Sequence, residues 1–414
     1  MRPVARRILH PFLPVDRFGA ADRRIVLIIW VGGVIQGFGQ SQASASLPFT
    51  RAGLGLTEGE MSLILGIARL AAFGALFLGW LGDHRGRRRP YLVAMTLIIG
   101  GGAAAGLAVE AWQFGLFHSI LRTGTAAVSA LAIVILAEKV GARIRAYALA
   151  FYGAAVSFGS GLALMALPLA EGGGERWRIP HLLAVLAFGA MPFLMRRVPE
   201  TEVFEQSEKE GHWAELMRGP WARRFWTIVA INVLSAAYGT VGAAFTTERL
   251  IDDVGLGAGQ TVWIVLLGGT IGAAGFFVGG RLADSWGRRN TSVLSLILTI
   301  VGGVTLYSTD NVTIIVVAAM ISGFGTFAFV PSGGSHRAEL FPTELRSSAN
   351  AAAVNAAGAG AAFGLISGVW TIDNLGLSNT VYVLAIGVAI AALLTATLDE
   401  TKGQDLTAVS TDRR

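Results

Sequence analysis

The chain has 414 residues, of which 53% are hydrophobic and only 14% charged, with a net charge of +6 and a mean hydropathy of +0.59. A soluble domain carries roughly 25% charged residues, so this chain lacks the polar surface that a soluble protein of its length must show to water, and a bilayer protein is the first expectation. The absence of cysteine excludes disulfides, thiolate metal sites and cysteine nucleophiles.

The first 24 residues hold six arginines (Arg2, Arg6, Arg7, Arg17, Arg23 and Arg24) ahead of an apolar run longer than a signal-peptide core. No convincing cleavage site follows, so no removed signal peptide is expected. Twelve apolar stretches then succeed one another, at about 25–47, 59–82, 90–110, 112–137, 146–169, 179–196, 224–247, 260–283, 291–308, 312–335, 347–370 and 380–398. Each is near the roughly 20 residues that a helix needs to cross the hydrocarbon layer, and helices are expected because open strand edges cannot be satisfied in lipid.

Residues 1–197 and 223–414 hold six stretches each. The polar linker, 198–222, is expected to carry a short amphipathic helix at the membrane surface, with a regulatory or partner-binding role as the alternative. If the N-terminus is cytoplasmic, 27 of the 33 Lys and Arg fall inside, and four (Arg51, Arg176, Arg178 and Arg249) fall outside. The positive-inside rule therefore places both termini in the cytoplasm. Arg69 and Arg122 lie within spans.

One stretch, "GWLGDHRGRRRP" at 79–90, returns as "GRLADSWGRRN" at 280–290. An offset of 201 carries Gly79, Leu81, Asp83, Gly86, Arg87 and Arg88 onto Gly280, Leu282, Asp284, Gly287, Arg288 and Arg289. The same step carries Glu138 to Glu339 and Arg145 to Arg346, and "PET" at 199–201 answers "DET" at 399–401 with an offset of 200. Internal repetition at this scale implies two copies of one architecture. Gly86 and Gly287 would permit tight turns, and the arginines would anchor the loops. Asp83 with Arg87, and Asp284 with Arg288, are candidate latches. Glu138 with Arg145, and Glu339 with Arg346, bridge a helix end and the next helix start, so they are candidates for the same gating network. Topology alone would explain the arginines but not the two aspartates.

The repeated G-x-L-x-D-x-x-G-R-[RK] loop, between spans two and three and again between eight and nine, resembles the signature of Major Facilitator Superfamily transporters, and the resemblance covers essentially the whole chain. It implies two six-helix bundles that rock about a midplane site in alternating access, with the loop carboxylate helping to hold the cytoplasmic side shut in one state. "RRVPETEVFE" resembles the tail of span six in metabolite:proton symporters, and "DETKGQDL" resembles that of sugar porters. Span five, "FYGAAVSFGSGLALMALPLA", lacks the glycine-proline motif of drug exporters, which favours import. The first-span aspartate of many sugar:proton symporters is also missing.

Cargo chemistry is expected where the halves differ. Arg69 maps onto Thr270 and Arg122 onto Gly323. A mid-span arginine costs roughly 2.5–3.5 kcal/mol on insertion scales, and no Asp or Glu lies mid-span to offset it, since Glu110, Glu138 and Glu248 sit near span ends. An anionic cargo would supply the missing charge, because guanidinium binds carboxylate or phosphate as a fork. His118, one turn before Arg122, shares its face, and Thr125 and Ser129 continue the stripe. Gln36, Gln40 and Ser44 form a polar stripe on span one; Asn232, Ser235 and Tyr238 in span seven and Asn355 in span eleven are further candidates. Other readings stand beside these. Arg122 resembles an arginine that proton-coupled members carry in span four, although R-x-G replaces the usual R-x-x-x-G. Arg69 could bond backbone carbonyls or snorkel, His118 could be a packed polar residue, and Gln36 and Gln40 could join helices.

The sequence therefore predicts an all-α integral membrane protein with twelve transmembrane helices in two pseudo-symmetric six-helix bundles. It is expected to be a monomer in the inner (plasma) membrane that imports a small organic anion with a proton, His118 being a candidate carrier because its unperturbed pKa suits proton exchange, with coupling through the cargo's own ionisation, or facilitated diffusion, as the alternatives. A multidrug or sugar carrier is the alternative within transport, and a non-transporting membrane sensor the alternative outside it. No cofactor, metal or nucleic-acid partner is expected. With neither a nucleotide loop nor a metal-ligand cluster in the sequence, an enzyme is not expected.

Overall fold

The computed structural model describes residues 19–140, 145–200 and 213–402, and among these there is helix and no strand. In the first half the helices are α1 (Ala20–Ala45), α2 (Leu47–Leu54), α3 (Glu58–Ala71), α4 (Ala75–Arg85), α5 (Arg88–Ala105), α6 (Ala111–Lys139), α7 (Arg145–Met165), α8 (Arg178–Leu182) and α9 (Met191–Arg197). In the second they are α10 (Trp213–Arg218), α11 (Ala222–Glu248), α12 (Ala258–Gly272), α13 (Ala274–Trp286), α14 (Arg288–Ser308), α15 (Val312–Glu339), α16 (Thr343–Leu375) and α17 (Leu377–Ala396).

Among the described residues, eleven segments are long and apolar enough to cross a membrane. The stretch predicted at 90–110 is α5, an 18-residue helix that opens on Arg88 and Arg89 and is thus shorter in apolar length than its neighbours. The predicted span at 59–82 is one run from Glu58 to Gly82 with a 3₁₀ turn, Ala72–Gly74, inside it. Span six departs most from a regular helix. It runs through 3₁₀ pieces at Gly174–Trp177 and Leu183–Ala190 around α8 and into α9, where Pro180 and Pro192 each remove a backbone donor. In the linker, α10 supplies a short helix, and residues 201–212 lie outside the described residues.

Local sequence sets the helix ends. At the start of α3, Thr57 and Glu60 form a reciprocal capping box, with the Glu60 N–H donating to Thr57 Oγ1 at 3.1 Å and the Thr57 N–H to Glu60 Oε2 at 2.9 Å. Asn311 caps α15 through the N–H groups of Thr313 (3.0 Å) and Ile314 (3.3 Å). α4 and α13 stop at Gly86 (φ +86°) and Gly287 (φ +120°), a backbone conformation that other residues rarely adopt.

The chain divides into two compact units, Met1–Ser46 with Ala71–Glu205, and Leu47–Leu70 with Gln206–Arg414. In the first, α1 packs on α7 and α5 on α6 around Ile29, Tyr91, Met95, Ile99, Val128 and Ile135. In the second, α14 packs on α15, and α11 on α16 and α17. Lipid tails are as apolar as leucine, so close packing of small residues has to hold such helices together. The 201-residue step reproduces that packing inside each unit. A side chain on Gly101 would sit 2.8 Å from the Phe117 carbonyl, and one on Gly302 would sit 2.6 Å from that of Ala318. Gly124 faces the Ala94 carbonyl at 2.7 Å, and Gly325 faces that of Ser295 at 2.6 Å. Phe117 and Ala318, like Ala94 and Ser295, are themselves 201 residues apart, so the repeat extends from loop motif to helix contacts.

Candidate functional site

On α6 the i, i+4 spacing brings His118 and Arg122 to one face, as expected. His118 is buried and stacks on Phe114, with ring centroids 5.8 Å apart and planes within 4°. Arg122 is 8% exposed and donates from Nη1 to the backbone carbonyl of Gln40 at 3.3 Å, while its own carbonyl accepts from Thr125 Oγ1. The two glutamines of α1 have separated roles. Gln36 is buried and accepts a hydrogen bond from the Tyr152 hydroxyl of α7, the helix-joining role; the side chain of Gln40 is exposed.

Arg69 sits near the end of α3, half-buried, and makes no hydrogen bond or ion pair among the described residues. The carbonyl bonds considered for it are therefore not formed there. Four expected residues of the second unit are distributed unevenly. Tyr238 is buried against α14 and donates to the Thr299 carbonyl at 3.4 Å, and Asn355 is exposed with no hydrogen bond among the described residues. Asn232 accepts at Oδ1 from Arg337 Nη1 at 3.3 Å and donates from Nδ2 to the Ile228 carbonyl at 2.8 Å. Ser235 is half-buried.

Arg337 was missed as a site residue because its position near the end of span ten made it one more topological arginine. Its signal was available: the 201 step carries it back to Leu136, so it has no counterpart in the first half. His181 was also missed. It is buried in the first unit, with Nδ1 3.3 Å from Gln42 Nε2 and Nε2 3.3 Å from Ser46 Oγ.

The basic loops form two matching interlocks. Arg87 Nη1 pairs with Glu138 at 2.7 Å in the first unit, and Arg288 Nε pairs with Glu339 at 3.1 Å in the second. Arg288 also holds Asp284 at 3.0 Å, one turn away on its own loop. Glu200 and Glu400, from the "PET" and "DET" repeats, cap the helices that follow. Glu200 accepts from the Arg88 N–H at 3.2 Å and Glu400 from the Arg288 N–H at 2.8 Å, where the helix dipole favours a negative charge. Burial alone would raise the Glu400 carboxyl, but the N–H groups of Arg288, Lys402, Arg289 and Asn290 outweigh it and hold the group below the usual carboxylate range. A side chain on Gly86 would come within 2.8 Å of the Glu200 carboxyl carbon, and one on Gly287 within 2.7 Å of that of Glu400. Glycine is thus needed twice at each turn, for its φ and for its lack of a side chain. Arg346 donates to the Phe341 carbonyl at 3.4 Å instead of reaching Glu339. The side chains of Asp83 and Arg145 lie outside the described residues.

A further charge cluster lies at the other end of the second unit. α11 has Arg224, bonded to Asp399 at 2.6 Å, near its start and Glu248 at its finish, about 36 Å apart at 1.5 Å per residue. There Arg51 pairs with Glu248, which is 1% exposed, and with Asp252 at 2.7 Å. Burial would lower the Arg51 pKa, but the two carboxylates more than offset this and raise it. Asp373 accepts from the Gly59 N–H at 3.0 Å, and Ser62 Oγ donates to the Leu365 carbonyl at 2.6 Å. These bonds explain why Leu47–Leu70 belongs to this unit. The sequence places Arg51 in an outside loop and does not announce these partners.

Helices long enough to span a bilayer, small-residue packing repeated at a fixed step and duplicated loop interlocks define a multi-pass membrane carrier built from an internal repeat. The Major Facilitator Superfamily model matches residues 29–284 and 228–410, and the chain belongs to that superfamily of transporters. It is 24% identical over 382 residues to a protein of Cupriavidus pinatubonensis described as a probable 4-methylmuconolactone transporter, covering 90% of this chain and 89% of that one. It is 26% identical over 315 residues to an ectoine/proline transporter of Corynebacterium glutamicum (66% and 61% covered). A gentisate transporter of the same organism is 23% identical over 345 residues (79% and 76%). The fold is similar to that of a D-xylose-proton symporter, with a TM-score of 0.74 and 18% identity over 93% of this chain and all of that one.

Proposed function

We propose that this transporter imports a small organic anion together with a proton, working by alternating access. The observation that carries this reading is Arg69, a guanidinium within a membrane-spanning run that has no hydrogen-bond or ion-pair partner among the described residues. An arginine in a span costs roughly 2.5–3.5 kcal/mol, and an arriving carboxylate would offset that cost with a charge-assisted fork. Arg122 and His118, sharing one face of α6, are the corresponding groups of the first unit, with His118 the proposed proton carrier. The relative described as a gentisate transporter supports an acid as cargo. The excess of Lys and Arg at the basic-loop end supports a cytoplasmic position for that end and for both termini, in the inner membrane. The loop interlocks and the Arg51 cluster are the proposed gating contacts at the two ends.

The test is counterflow in proteoliposomes with labelled gentisate, proline, xylose and a cationic dye, with and without a pH gradient. Gentisate uptake that rises with an inward proton gradient is the expected result. Movement of the dye or the sugar alone would overturn the proposal.

A further inference from the structure

The geometry points to a second anion-recognition site, inside the second unit, in which Arg337 is held by Asn232 and Asn350 so that it can take the carboxylate of the cargo near the basic-loop end. This rests on the organic-anion reading above and names a residue that reading does not use. Arg337 lies on α15, two residues before the helix finishes at Glu339. Its Nε donates to Asn350 Oδ1 of α16 at 3.0 Å, and its Nη1 donates to Asn232 Oδ1 of α11 at 3.3 Å. Three helices therefore converge on one guanidinium, which is partly buried.

Both partners are neutral amides. They fix the plane of the guanidinium without cancelling its charge, and Arg337 makes no ion pair among the described residues. Three arginines of this unit instead end on carboxylates: Arg51 on Glu248 and Asp252, Arg249 on Asp310, and Arg288 on Glu339. An amide-held cation keeps the remaining donors of its fork for an incoming oxyanion. Beside it lies a small cleft of about 20 Å³ lined by Asn232, Ser292, His336 and Arg337 among apolar neighbours.

The arrangement is also absent from the first half. The 201 step carries Asn232, Arg337 and Asn350 onto Val31, Leu136 and Leu149, whereas the interlock residues Arg288, at the start of α14, and Glu339, at the end of α15, have counterparts of the same kind in Arg87 and Glu138. A group retained only for topology or for packing would have been free to repeat; three polar residues from three helices, all replaced by aliphatic ones, indicate a task that one half performs.

The test uses the full chain in proteoliposomes, with labelled gentisate as probe, comparing wild type with Arg337→Gln, Arg337→Lys and Asn350→Ala, in vesicles of phosphatidylethanolamine with and without phosphatidylglycerol. Losing one charge-assisted interaction is worth roughly ten- to a hundred-fold. The expected result is a KM for gentisate raised at least about tenfold in Arg337→Gln, a smaller rise in Asn350→Ala, partial recovery in Arg337→Lys, and a maximal rate within about twofold of wild type. Asn350 is exposed, so its variant keeps the test open if Arg337→Gln fails to fold. An unchanged KM in correctly folded variants, with wild-type uptake intact, overturns this inference alone. A defect that appears only with phosphatidylglycerol assigns the site to a lipid headgroup and overturns it too. If wild type moves no acid at all, the proposed function fails and this site falls with it.

Discussion

The basic loops and the unrepeated arginines use the same side chain in opposite ways. In the loops, Arg87 and Arg288 sit against Glu138 and Glu339, and the turn glycines make room for Glu200 and Glu400. Charge there is matched by charge, twice, with the same spacing. Arg69 has no partner among the described residues, Arg337 has two amides, and Arg122 reaches a backbone carbonyl. The difference teaches how to divide shared machinery from specific chemistry: the repeated loop cations are neutralised by carboxylates of the protein, as the unrepeated Arg51 and Arg249 also are, whereas Arg69 and Arg337 meet no carboxylate among the described residues.

The largest expected effect breaks the specific side of this comparison. Arg122→Ala should abolish gentisate uptake in proteoliposomes, and loss of its bond to the Gln40 carbonyl should cost about 1.5–3 kcal/mol of stability. A thermal-unfolding measurement alongside uptake separates the two effects. Next in size is the packing that both halves share. Gly325→Leu would drive a side chain into the Ser295 carbonyl, 2.6 Å from where a β-carbon would stand; overpacking of this kind costs about 1–3 kcal/mol. Gly124→Leu should cost the same, since its neighbour is placed alike, and unequal losses in detergent melting temperature would show that the repeat is not mechanically equivalent.

A smaller effect sharpens the view of the interlocks. Glu138→Gln and Glu339→Gln should each weaken one arginine bond and each slow the initial rate of gentisate uptake in proteoliposomes. Smallest is a pH effect. Because the folded-state pKa of Glu400 is depressed by the backbone N–H groups around it, its contribution to stability is present above the ordinary carboxylate range and is lost as pH falls through the lowered folded value. Glu400→Gln should therefore lower the melting temperature near neutral pH and make less difference in acid.

Much of the fold was legible in the sequence because the two signals that fix it are local and periodic: apolar length, and a loop motif repeated at one step. The same step relates the carbonyls that the packing glycines meet in the two units, but which carbonyls those are follows only from the packing. What was not legible depends on which helices become neighbours. Nothing near Gln36 in the sequence announces Tyr152, 116 residues away, as the group that occupies it. Arg51 and Glu248 are 197 residues apart, and their pairing follows only once Leu47–Leu70 is seen to pack with the second unit. Arg337 was visible but misread, because charge near a span end has a topological explanation that comes first to hand; only its missing counterpart marks it out.

The account rests most heavily on Arg69 as a receiver of negative charge. Counterflow of labelled gentisate and labelled xylose through wild type and Arg69→Ala, in the same vesicles, tests it directly. The account predicts gentisate transport by wild type, a loss of at least about tenfold in the variant, and no transport of xylose by either. Equal gentisate transport by the two proteins would contradict it.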